Sequence, residues 1–129
     1  MVRYSPLDCG VSWKGESHLA DLQSFDWAAK TAEWVYPDGK SILRVRFSGM
    51  VIVRILDDFA MSEEIHSGPH QGLGGEHFAY LVEGDPFDAV QSGVWKEVAG
   101  STRHYRFITG NGCMDVISNA PPTFETHRL

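Results

Sequence analysis

Apolar and polar residues alternate along most of this chain with the two-residue period of strands, and no long helical run interrupts them. The pattern is clearest from Lys30 to Ser48. Two β-rich runs, Lys30 to Tyr36 and Ser41 to Ser48, flank Pro37-Asp38-Gly39-Lys40, where proline presets φ and glycine accepts a positive φ. This predicts a hairpin with Tyr36 facing Ser41, Trp34 facing Leu43 and Ala32 facing Val45, and with Glu33 meeting Arg44 on the opposite face. Reading Ser48-Gly49 as a second tight turn or bulge adds Met50 to Asp58 as a third strand. The apolar side of that meander is then Ala32, Trp34, Leu43, Val45, Phe47, Met50 and Ile52. Its other side mixes Arg44 and Arg46 with Val51 and Val53.

Further strands are expected at Asp21 to Trp27, at His77 to Glu83, and at Arg103 to Gly110 and Cys113 to Asn119, the last two joined by an Asn111-Gly112 turn. That turn sets Phe107 against Val116. It gathers Tyr105, Phe107, Met114 and Val116 on one face and leaves His104, Arg106 and Asp115 on the other. Asp85 as N-cap and Pro86 at the first helical position predict one short helix over 86–92, stopped by Gly93, with Val94 to Val98 extended. Residues 1–16 read as an irregular N-terminal arm and 121–129, which hold Pro121 and Pro122, as a flexible tail. The expectation is one domain, mainly β and at most α+β. It would form an antiparallel meander, roll or two-layer sandwich of about seven strands.

Composition narrows the classes of partner. With 11 basic and 17 acidic residues the net charge is −6, which argues against nucleic acid, where a basic stripe is expected. No apolar leader and no long apolar window are present, so a soluble, cytoplasmic protein without a membrane role is expected. Cys9 and Cys113 then read as free thiols rather than a pair.

The reactive side chains gather between Met61 and His77, which hold His66, His70, His77, Glu63, Glu64 and Glu76. Gly68 and Pro69 remove the helical geometry that a four-residue His spacing would need. A loop can still converge His66, His70, Glu76 and His77 on a divalent metal. No nucleophile elbow, phosphate-cradling glycine motif or paired-cysteine motif occurs, and no catalytic residue is assigned. His104 beside Asp115 offers one imidazole–carboxylate pair.

His18-Leu19-Ala20-Asp21-Leu22, Ser24-Phe25 and the Phe47-Ser48-Gly49-Met50-Val51 step resemble small bacterial β-rich proteins, toxin-immunity proteins among them, over residues 18–58. The resemblance implies a non-enzymatic binding role. Two readings follow. In one, the chain recognises another protein, or itself, through Arg44, Arg46, Val51 and Val53. In the other, it holds a small molecule or a divalent metal at the His-rich loop 61–77, with enzymatic activity left open; no cofactor is otherwise expected.

Overall fold

The computed structural model describes residues 1–129. The chain is mainly β, with ten strands and three short helices. In chain order these are β1 (Val2–Pro6), β2 (Asp21–Asp26), β3 (Thr31–Val35), β4 (Ser41–Arg46), β5 (Val51–Asp57), α1 (Asp58–Ile65), β6 (His70–Gln71), β7 (Ala79–Glu83), α2 (Pro86–Ala89), α3 (Gly93–Ala99), β8 (Arg103–Thr109), β9 (Gly112–Ser118) and β10 (Thr123–Arg128). The strands form a six-stranded sheet in the order β5-β9-β8-β7-β1-β6 and a four-stranded sheet in the order β10-β4-β3-β2. Every pairing is antiparallel except the short β1–β6 contact. No helix is long and apolar enough to cross a membrane.

The two sheets close on one core. Ala32, Trp34, Leu43, Val45 and Phe47 of the smaller sheet and its margin meet Phe78, Tyr105, Phe107, Met114 and Val116 of the larger. Trp34 lies 5.0 Å from Phe107, ring centre to ring centre. The β3–β4 hairpin has the expected register, with Trp34 opposite Leu43, Ala32 opposite Val45 and Glu33 opposite Arg44.

The third strand of the expected meander lies elsewhere. Ser48-Gly49 is not a hairpin turn; the chain there crosses from the four-stranded to the six-stranded sheet. Gly49 passes so close to the Asn119 amide that a Cβ would collide with it, and the same amide accepts from the Met50 N–H at 2.8 Å. As a result Val51 and Val53 turn into the inter-sheet core, while Ile52, Arg54 and Leu56 take the other face of β5. A one-residue change of phase reverses every side chain of a strand. The mixed face of Arg44, Arg46, Val51 and Val53 therefore does not form.

Four further expectations change. The N-terminal arm begins with β1, which pairs with β7, and the expected flexible tail holds β10, which pairs with β4 from Thr123 opposite Arg46 to Arg128 opposite Ser41. Val94 to Val98 are helical rather than extended, because Ser92 caps α3 through its hydroxyl. Gly93 thus starts a helix instead of ending one. The β8–β9 turn is Gly110-Asn111, setting Phe107 opposite Met114. Asn111 is used differently: its amide accepts from Leu22 N and donates to Leu22 O, both at 2.9 Å, tying this turn to β2. The register moves by two residues, so the two faces stay as expected.

Candidate functional site

β9 is buried at every position. Its inward side chains enter the sandwich core, so its outward ones must be covered by something else. The cover is α1 and α2 with the segments that flank them. Asp57 caps α1 by accepting from Ala60 N at 3.0 Å, and the helix buries Met61 against the sheet. Asp85 caps α2 by accepting from Phe87 N at 2.9 Å.

The face beneath carries charge. Arg54, Asp115 and Arg106 lie in one cross-strand row, set by the β5–β9–β8 register. Asp115 is fully buried and accepts from His104 Nε2 at 2.6 Å, Arg106 Nε at 2.7 Å and Arg54 Nη2 at 2.7 Å. Arg106, also buried, donates to the Tyr4 hydroxyl at 2.6 Å and places Nη2 3.2 Å from Asp85. Arg54 reaches outward to Glu64 of α1 through two bonds of 2.9 and 2.6 Å, and its guanidinium lies 4.2 Å over the Phe87 ring.

Burial alone would raise the Asp115 carboxyl. The hydrogen bond from His104 and the charge and hydrogen bond of Arg106 outweigh it and hold the group at about 2. Burial would lower both arginines, but Asp115 with Glu64 for Arg54, and Asp115 with Tyr4 and Asp85 for Arg106, raise them instead. The Tyr4 hydroxyl is raised by burial, with Arg106 opposing. The cluster is therefore a set of fixed charges that hold one another. With Asp115 ionised, His104 donates from Nε2, and its Nδ1 is buried without a partner.

The outer members of this network border a cleft of about 550 Å³. Tyr4, Arg54, Glu64, Ser67 and Asp85 supply its polar side chains, and Val2, Ile65, Pro69, Phe87 and Val90 are among its apolar walls. Gly84 lines it too. Its φ of +82° and the 2.7 Å approach of Met1 O to the place of a Cβ admit only glycine without strain. The cleft is thus enclosed by the connection between β5 and β7 on one side and by β1 and α2 on the other.

The histidines singled out by composition do not converge. His66 and His70 have ring centres 5.7 Å apart. His66 and His77 both border a separate pocket of about 250 Å³, which neither His70 nor Glu76 lines. No three His, Cys, Asp or Glu side chains come together as a metal-binding group. In the segment holding them, the end of α1, Met61 to Ile65, and the two residues of β6 are the regular parts; His66, Glu76 and His77 lie in the turns and irregular chain around them. Arg44 pairs with Glu33 at 2.7 Å and Glu125 at 3.1 Å on the outer face of the four-stranded sheet, and Arg46 is exposed there. The His104–Asp115 pair is made.

Sequence reasoning missed Tyr4, Arg54, Asp85 and Phe87. One signal was present: Arg54 is a lone charge in the apolar run Met50 to Leu56, and a charge in a buried strand requires a partner. No protein-family model matches the chain, and neither a curated protein nor a solved structure is similar to it.

Proposed function

We propose that this chain is a binding protein for a small organic molecule, held without catalysis in the cleft between β1, α1 and α2. The observation that carries the reading is the pairing of a preformed cleft of about 550 Å³ with lining charges, Arg54, Glu64 and Asp85, that are each held by an ion pair. Clefts of roughly 300–1,000 Å³ with apolar walls and a few fixed polar groups are the usual form of small-molecule sites. Rigid polar groups orient a ligand at little entropic cost. The same rigidity disfavours acid–base work, since Asp115 and both arginines are committed to one another. The site is at the base of the segment 61–77, but its binding groups are Tyr4, Arg54, Glu64, Asp85 and Phe87 rather than the histidines.

The test is a fragment screen read by backbone amide shifts, run on the wild-type chain and on Val90→Trp. Val90 is exposed at the cleft wall, so the larger side chain narrows the cleft without entering the core. Fragments should shift Ile65, Gly84 and Val90 in the wild type and lose affinity in the variant. A screen with no hits at these positions, or hits indifferent to Val90→Trp, would overturn the proposal.

A second reading, self-association, rests on Val90, Val94 and Val98. Val94 and Val98 are exposed four residues apart on one face of α3, and Val90 is exposed in the turn before it. An apolar strip beside a polar rim is a usual interface feature. Sedimentation velocity over a range of concentrations decides it: self-association should weaken in Val94→Lys, and a strict monomer would remove the reading.

A further inference from the structure

The cleft's own chemistry narrows its ligand, granted the binding role argued above. Two carboxylates, Glu64 and Asp85, line the cleft beside one guanidinium, Arg54, and Met1. Arg54 is no free anion clamp. It donates four hydrogen bonds, two to Glu64 and two to Asp115, which leaves one of its five N–H groups. Arg106 does not line the cleft. Glu64, by contrast, is half exposed and keeps lone pairs beyond the two that Arg54 engages. An entering anion would meet two carboxylates and a guanidinium with one N–H group left, whereas a cation would meet the unengaged lone pairs of Glu64.

Tyr4 supplies an independent constraint. It is buried, it lines the cleft, and its oxygen accepts from Arg106, while its own proton has no acceptor among its contacts. A buried hydroxyl with an unused proton favours a ligand that offers an acceptor oxygen, and beside two carboxylates a neutral one is repelled least.

From these two features we infer that the cleft takes an organic cation: an ammonium or amidinium group beside Glu64 and Asp85, an apolar stem against Phe87, Ile65 and Val90, and a neutral carbonyl or ether oxygen for Tyr4.

Three matched probes test this at about pH 6, where an aliphatic α-amine is protonated. Phenylalaninamide carries the cation and an amide oxygen, 3-phenylpropanamide lacks only the amine, and 3-phenylpropanoate replaces the amide by an anion. Affinities are read from the amide shifts of Ile65, Gly84 and Val90. Phenylalaninamide should bind about tenfold or more tighter than 3-phenylpropanamide, with 3-phenylpropanoate weakest, as one partly screened charge predicts. Glu64→Gln keeps the shape of the wall and removes one of its charges, and should cut the cation preference about fivefold or more. An equal or stronger affinity for the acid, or a preference unchanged in Glu64→Gln, would overturn the cation inference while leaving the binding cleft in place. Absence of shifts with all three probes would count against both.

Discussion

Asp115 accepts four hydrogen bonds, one each from His104 and Arg106 and two from Arg54, with no exposure to water. Removing its charge leaves Arg54 with Glu64 and Arg106 with Asp85 as their remaining carboxylate partners. Breaking a buried ion pair from one side costs about 3–5 kcal/mol, so Asp115→Asn should lower the unfolding free energy read from urea denaturation by up to that amount. The pH dependence has a definite sign. Because the folded carboxyl is held at about 2, below its ordinary value, it contributes stability that is fully present above about pH 4. That contribution is lost as the pH falls through about 2. Acid titration of stability should therefore be flatter in Asp115→Asn than in the wild type across this window; parallel curves would contradict the assignment. The two cysteines give a simpler check. Both thiols are buried and free, with Cys9 raised by burial and Cys113 pushed up to about 12 by burial and the nearby Asp115 and Asp58 charges. Thiol reagent at neutral pH should label neither in the folded protein and both after denaturation.

At the scale of elements, β10 decides how the smaller sheet ends. Its six residues pair along the whole of β4, and Phe124 packs on the core. Truncation at Ala120 should cost about 2 kcal/mol or more, the value of burying one large apolar side chain plus its ladder, whereas a frayed tail would cost nothing measurable. Which elements were legible follows from what their sequences demand. The β3–β4 hairpin was readable because Pro37-Asp38-Gly39 permits one kind of turn and the flanking residues alternate. The polar set His104, Arg106 and Asp115 was placed on one face correctly, since a two-residue error of register preserves faces. What covers that face was not readable. α1, reading DFAMSEEI, buries only Met61 and so lacks the apolar stripe by which helices are recognised. β10 follows two prolines and has one partly buried aromatic among exposed residues, the pattern of an edge strand and equally of a tail. Ser48-Gly49 suits a hairpin turn and a crossing between sheets alike, and the choice lay with Asn119, distant in sequence.

Across the whole molecule, one aromatic core joins both sheets, with Trp34 between Phe78 and Phe107 and Trp13 against Phe78. A shared core should make unfolding a single transition. Tryptophan fluorescence and far-ultraviolet circular dichroism should then report the same urea midpoint, and separated midpoints would show that the sheets unfold independently. The same architecture gives the cleft its stiffness: the sandwich fixes β5, β8 and β9, those strands fix Arg54, Arg106 and Asp115, and the charges in turn hold α1 through Glu64 and the start of α2 through Asp85. The functional account stands on that cleft. Its most direct test is a set of crystals soaked with small aromatic amines and amides. The account predicts density between Tyr4, Arg54 and Phe87 with the surrounding side chains unmoved, and density confined to other surfaces with this cleft empty would contradict it.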